Sequence, residues 1–166
     1  MSNFLLTGGG TAGHVNPLLS LADAISTMDA SAKVIALGTA EGLEANLVPG
    51  RGYRLETIAR LPFPRKPSLY ALKFPFAFGR AVSQVRALIR REQIEVVVGF
   101  GGYASAPAYL AARFERIPLV IHEANALPGI ANKIGARFAS IVAVAFAGSG
   151  LKGERLTGMP LRRAVA

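Results

Sequence analysis

A parallel β-sheet flanked by helices is the fold this sequence predicts, and three observations predict it. Short β-branched or apolar runs alternate with amphipathic stretches, the pattern of successive βαβ units. The first run, Phe4-Leu5-Leu6, leads straight into Gly8-Gly9-Gly10-Thr11-Ala12-Gly13. A later run, Val96-Val97-Val98, leads into Gly99-Phe100-Gly101-Gly102-Tyr103. A strand that feeds a glycine loop and then a helix is used twice in this chain, which puts two such loops along one edge of the sheet.

Strands are expected at residues 4–6, 34–37, 53–58, 95–99, 119–121 and 141–144, with a short last one at 154–157. The first helix is expected to start near Pro17. Asn16 is a good N-cap and proline suits the first helical position. Leu18, Leu21, Ala22 and Ile25 then recur at helical spacing and face the sheet. Further helices are expected at 42–48, within 67–91, at 106–114 and at 129–138, and Pro75 should kink or break the second of these. No internal repeat or low-complexity linker interrupts the pattern. The strand-then-turn signal Thr157-Gly158-Met159-Pro160 reads as a domain boundary, which makes residues 1–166 one domain.

The 166 residues suffice for one α/β core, and at 51% hydrophobic the chain is not of the disordered class. There is no cysteine, which excludes a disulfide framework or thiolate metal site and fits a cytosolic protein. The apolar run at 4–6 is too short for a signal-peptide core, and no stretch is long and uncharged enough to span a bilayer.

The formal net charge of +9 is unevenly placed. Arg60, Arg65, Lys66, Lys73, Arg80, Arg86, Arg90 and Arg91 lie in a stretch with no Asp or Glu, while the rest of the chain is nearly balanced. Large apolar residues are interleaved with the first of these cations: Phe63, Leu69, Tyr70, Leu72, Phe74, Phe76 and Phe78. They cannot all face one core. An apolar face ringed by cations fits a membrane surface, with Lys66, Leu69, Leu72, Lys73, Phe74, Phe76 and Arg80 as its expected members. A buried helix with a solvated basic face is the plainer alternative. A nucleic-acid surface has the charge but no recognised binding motif, so none is expected.

The glycine loops carry the chemistry. Residues 8–13 read formally as G-x-G-x-x-G, which lets backbone amides approach a phosphate at a helix N-terminus. A dinucleotide domain should also carry an acidic residue at the end of its second strand, for the ribose hydroxyls. That strand ends Leu37-Gly38-Thr39-Ala40, and Glu41 and Glu44 come later, so a nicotinamide-cofactor domain is the lesser reading. Two loops along one edge offer two clusters of N–H donors. Gly9, Gly10, Gly101, Gly102 and Tyr103 are the candidates for holding a diphosphate. His14 follows the first loop, and His122-Glu123-Ala124-Asn125 follows the fifth strand. An imidazole exchanges its proton near neutral pH, so His14 is the first candidate for a general base and Glu123 the second. The alternative for Glu123 is a carboxylate that accepts bonds from loop amides or orients another group. Asp23 and Asp29, the only aspartates, fall in or after the first helix, and no metal site is expected.

In order and spacing, Gly9-Gly10-Thr11-Ala12-Gly13-His14-Val15-Asn16-Pro17, Gly38-Thr39-Ala40, Gly101-Gly102-Tyr103 and His122-Glu123-Ala124-Asn125 resemble the MurG family of N-acetylglucosaminyltransferases. The likeness runs from the first strand to Gly158-Met159-Pro160-Leu161-Arg162. It implies the N-terminal half of a GT-B fold, in which two Rossmann-like domains face each other across a cleft. It also implies inverting transfer of N-acetylglucosamine from UDP-N-acetylglucosamine to lipid I, giving lipid II, with no cofactor. The N-terminal domain would take the lipid-linked acceptor. A C-terminal domain, outside this chain, would hold most of the donor. Donor contacts on this side would come from Thr11, Ala12, Gly13, Asn125 and Arg162. The enzyme would sit peripherally on the cytoplasmic face of the membrane, against anionic phospholipids. Two positions depart from the pattern: Ala12 stands where glycine is frequent, and Met159 where asparagine is usual.

Overall fold

The strands of the sheet are joined in parallel pairs throughout, in the order β3-β2-β1-β4-β5-β6-β7. The computed structural model describes residues 2–161. In chain order the elements are β1 (Asn3–Thr7), α1 (Ala12–Met28), β2 (Lys33–Gly38), α2 (Glu44–Gly50), β3 (Arg54–Thr57) and α3 (Leu69–Arg91). There follow β4 (Val96–Gly99), α4 (Ser105–Glu115), β5 (Leu119–Glu123), α5 (Ile130–Gly135), β6 (Ile141–Val144) and β7 (Glu154–Leu156).

Helices cover both faces. On one, Leu6, Ala36, Val98 and Phe100 pack against Val15, Leu18, Leu19 and Ala22 of α1 and Val48 of α2. On the other, Leu5, Ile35, Leu37, Val97 and Ile121 pack against Val85, Leu88 and Ile89 of α3 and the alanine-rich face of α4. A strand buried on both faces reads as an unbroken apolar run rather than an alternation, as β1 and β4 do. Alanines at 106, 108, 111 and 112 let α4 sit close to the sheet, and Tyr109 fills the space they leave.

The strand order reverses direction between β1 and β4. Their register pairs Thr7 with Gly99, so the glycine loops that follow them begin side by side. Ligands of open α/β sheets bind at this switch point, outside the carboxyl ends of the strands.

Three differences from expectation bear on the site and its surroundings. Helix α1 begins at Ala12, so Asn16 is not its cap and Pro17 lies inside it. Proline there removes one helical bond to the Gly13 carbonyl. As a result His14 belongs to the first turn of the helix. Helix α3 runs without a break through Pro75, which is exposed, and starts at Ser68, whose side chain accepts from the Ala71 N–H at 3.1 Å. Strand β5 extends to Glu123, so His122 and Glu123 are strand residues, in register with Ala143 and Val144.

A candidate active site between two glycine loops

The two loops interlock. Gly102, at φ +94°, lies against the Gly9 backbone: a Cβ on it would come within 2.6 Å of the Gly9 carbonyl oxygen. Gly101 has the same φ, and a Cβ there would lie 3.1 Å from His14 Nε2. These backbones approach so closely because neither residue carries a side chain, and because glycine tolerates positive φ.

His14 is held by its other nitrogen. Nδ1 is 3.0 Å from the Gly9 carbonyl oxygen and 3.2 Å from Thr11 Oγ1. A carbonyl can only accept, so this contact calls for a proton on Nδ1, which in the neutral ring leaves the lone pair on Nε2. Nε2 therefore faces Gly101 as an acceptor, in the crevice between the loops.

Behind the second loop lies a buried polar chain. Glu123 is 1% exposed and accepts four bonds: from the Asn125 N–H at 2.8 Å, Asn125 Nδ2 at 2.9 Å, the Gly129 N–H at 3.1 Å and Asn132 Nδ2 at 2.8 Å. The Tyr109 hydroxyl donates to Asn132 Oδ1 at 2.7 Å. Burial pushes the Tyr109 phenol far above its usual range, so it stays a donor. Asn125 itself is exposed, and its amide is oriented by the bond to Glu123. Ser105 ties the loop down from α4, donating to the Gly101 carbonyl at 2.8 Å.

His122 is 5% exposed; its Nε2 lies 2.9 Å from the Gly158 carbonyl, and its Nδ1 has no partner among the described residues. It thus links β5 to the segment after β7 rather than standing in the crevice. That segment, Met159-Pro160-Leu161, closes a cleft of about 460 Å³ with Ala12, Gly13, Asn16 and Pro17 of α1. A groove of about 490 Å³ lies elsewhere, between α3 and α4, and touches neither glycine loop.

A profile described as the glycosyltransferase family 28 N-terminal domain matches residues 4–144. The chain belongs to this family. Among its relatives, the protein named UDP-N-acetylglucosamine–N-acetylmuramyl-(pentapeptide) pyrophosphoryl-undecaprenol N-acetylglucosamine transferase from Clavibacter sepedonicus is 57% identical, over 100% of this chain and 46% of that protein. The protein of the same name from Leifsonia xyli subsp. xyli is 59% identical, over 98% of this chain and 45% of its own length. The chain thus spans about half the length of the curated relatives it matches. The crystal structure of Acinetobacter baumannii MurG superposes with a TM-score of 0.82 at 27% identity, over 100% of this chain and 48% of that one. A Streptomyces glycosyltransferase, SsfS6, shares the fold at 17% identity, with a TM-score of 0.61 over 90% of this chain and 51% of its own. The Rossmann-like sheet is that of GT-B glycosyltransferases.

Against this family 28 domain the expected site residues divide clearly. Gly9, Gly10, Gly101 and Gly102 form the interlocked loops around His14. Tyr103 stands at their rim beneath Arg60, whose guanidinium lies 5.0 Å from the ring centre. Thr11, Ala12 and Gly13 are exposed at the start of α1. Arg162 lies outside the described residues.

The membrane set needs one correction. Phe74 turns inward: its ring lies 5.5 Å from Phe63, 5.5 Å from Phe78 and 5.9 Å from Tyr70, and packs, partly buried, against the core under α3. Leu69, Leu72, Lys73, Phe76 and Arg80 are exposed and share one stripe of the helix, with Lys66 exposed just before it. The charge reading also narrows. Arg86 and Arg90 pair with Glu115, and Arg91 pairs with Glu56 and Glu92. Among the described residues, the cations of this stretch without an acidic partner lie between Arg60 and Arg80. No described helix is long and apolar enough to cross a membrane.

Sequence reasoning missed four residues of the site: Glu44, Tyr109, Asn132 and Arg60. In the sequence Glu44 stands out only as lying too late for a ribose contact. Tyr109 and Asn132 look like ordinary helix residues until α4 and α5 are packed together.

Proposed function

We propose that this chain is the acceptor-side half of a two-domain enzyme that transfers N-acetylglucosamine from UDP-N-acetylglucosamine to undecaprenyl-diphospho-N-acetylmuramyl-pentapeptide. What carries the proposal is 57% identity, over the whole of this chain and 46% of its relative's length, with a protein named for that reaction, joined to an imidazole whose Nε2 faces the crevice between two glycine loops. In this reading His14 Nε2 takes the proton of the acceptor hydroxyl while the hydroxyl oxygen bonds to the anomeric carbon. The bond from that carbon to the diphosphate breaks, and UDP leaves with its electron pair from the opposite face, which inverts the centre. Loop amides and Arg60 face the acceptor diphosphate, where N–H donors and positive charge offset its anionic oxygens. Thr11, Ala12, Gly13, Asn125 and Arg162 contact the donor, whose remaining contacts come from the second domain. Glu123, with four bonds already accepted, orients Asn125 instead of serving as the base. The exposed stripe of α3 sets the domain on the anionic cytoplasmic leaflet, beside its lipid-linked substrate.

The test is transfer of labelled sugar. The 166 residues alone should form no product, and the same chain at the head of a full-length enzyme should. In that enzyme His14→Ala should lower kcat by about 10²-fold or more, with donor KM nearly unchanged. Product from the isolated chain would end the two-domain reading, and a near-normal rate for His14→Ala would remove His14 as base.

A further inference from the structure

Glu44 is the first residue of α2 and has no exposed surface. Its Oε2 accepts the Gly10 N–H at 2.8 Å, and its Oε1 accepts the Thr39 N–H at 2.8 Å and the Thr39 hydroxyl at 2.9 Å. No Lys, Arg or His side chain pairs with it among the described residues. A carboxylate buried without a cation is costly, and an apolar side chain would fill the same space without that cost.

The backbone is shaped around this group. A Cβ on Gly9 would lie 2.1 Å from Oε1, one on Gly38 2.3 Å from Cγ, and one on Gly42 2.1 Å from Oε2. Three separate segments lack a side chain where one carboxylate sits: the loop after β1, the end of β2 and the turn before α2.

What the carboxylate holds is one peptide group. The N–H of Gly10, which donates to Glu44, and the C=O of Gly9, which accepts from His14 Nδ1, belong to the same peptide unit. We propose that Glu44 is a positioning residue for His14, acting through the Gly9–Gly10 peptide. The inference rests on the reading of His14 as the base. The carboxylate draws on the peptide N–H and so strengthens its carbonyl as an acceptor, because hydrogen bonds in series polarise one another. The strengthened carbonyl keeps the proton on Nδ1 and the lone pair on Nε2. When Nε2 takes a proton, the imidazolium charge is met by that carbonyl and, one peptide further, by the negative charge of Glu44. The arrangement does what a carboxylate bonded directly to a histidine would do, with a peptide group in between.

The first readout is imidazole nitrogen NMR of the 15N-labelled chain, at a pH where the rings are neutral. Wild-type His14 should carry its proton on Nδ1. Glu44→Gln keeps the shape and removes the charge, and it should move His14 toward the Nε2–H tautomer while His122 stays unchanged. A wild-type His14 protonated on Nε2 would overturn the proposal with no variant needed, even if Glu44→Gln fails to fold. A folded Glu44→Gln protein with an unchanged His14 tautomer would overturn it as well. The second readout is kinetic, in a full-length enzyme carrying this chain. Glu44→Gln should lower kcat by about 10-fold or more with donor KM unchanged, and it should add nothing in a His14→Ala background. If His14→Ala has no effect, the base assignment fails but the tautomer result still stands or falls alone. If His14→Ala is slow and Glu44→Gln is not, the relay fails and the base remains.

Discussion

Tyr109 and Asn132 are joined by a bond that decides which way an amide faces. The phenol donates to Asn132 Oδ1 at 2.7 Å, so Nδ2 must turn to Glu123 Oε2, 2.8 Å away. Both residues are buried, Tyr109 completely. Tyr109→Phe would leave Oδ1 without a donor in a place water reaches poorly. Stability should fall by about 1–3 kcal/mol, the cost of a buried unpaired acceptor. Urea unfolding followed by circular dichroism reads this directly. An unchanged midpoint would mean that Asn132 finds another donor and that the chain from Tyr109 to Asn125 is not fixed by this bond.

The glycine loops allow a comparison within one protein. Gly10 and Gly102 both have positive φ, +84° and +94°. A Cβ on Gly10 would meet nothing within 4 Å, whereas one on Gly102 would come within 2.6 Å of the Gly9 carbonyl oxygen. Gly10→Ala should therefore cost only the backbone strain, about 1–2 kcal/mol. Gly102→Ala adds the clash and should cost measurably more. It should also displace the carbonyl that holds His14, so the His14 imidazole signal should shift in Gly102→Ala and hold in Gly10→Ala. Equal unfolding midpoints for the two variants would argue that the loops are not interlocked.

The sheet was legible because its signals are local. Strand runs such as Val96-Val97-Val98 declare themselves by composition, and each glycine loop marks where a strand ends. The start of α1 was misplaced because Asn16-Pro17 is a good local start signal, yet His14 and Val15 already bond back to the Thr11 carbonyl and extend the helix forward. The candidate base, its glycine loops and Asn125 could be named from order along the chain. Glu44 could not, since its role depends on glycines at 9, 38 and 42 meeting in space. The inward turn of Phe74 is hidden from the sequence for a related reason. It shares composition with Phe76, and only the rotation of α3 separates the ring that packs on Phe63 from the ring that faces out.

An acid-sensitive link lies on the opposite edge of the domain. Glu92, at the end of α3, takes bonds from Lys33 of β2 and from Arg91, and Arg54 of β3 is 3.1 Å away. These cations, Lys33 first, lower its carboxyl from 4.5 to about 2. A carboxylate more acidic in the folded chain than in the unfolded one stabilises the fold fully above the unfolded value. That contribution should fade as pH falls from 4.5 towards about 2. Glu92→Gln removes it at every pH. The variant's Tm should lie below wild type at pH 7, and the two should converge as the pH is lowered through this window. Parallel curves would assign the acid response to other carboxylates.

The exposed stripe of α3 yields a membrane prediction that separates two neighbouring phenylalanines. Leu72 is 71% exposed and Phe76 81%, while Phe74 packs inward between Phe63 and Phe78. Lys66, Lys73 and Arg80 flank the stripe without acidic partners among the described residues. Each cation near an anionic surface contributes about 1 kcal/mol, so these three supply a few. Burying Leu72 and Phe76 adds about 1.5–3 kcal/mol each. Neither contribution holds the domain firmly alone, but together they give reversible docking. In co-sedimentation, the wild-type chain should bind vesicles containing anionic lipid, bind less in high salt, and bind neutral vesicles poorly. Leu72→Ser with Phe76→Ser should weaken binding even at low salt and leave the fold intact, because neither side chain is in the core. Reversing Lys66, Lys73 and Arg80 to Glu should abolish it. Phe74→Ser should instead lower the stability to unfolding by about 1.5–3 kcal/mol, since its partly buried ring packs against the core. Vesicle binding that is absent, or equal in wild type and both surface variants, would leave the stripe as ordinary solvated surface and would remove the membrane from the proposed function.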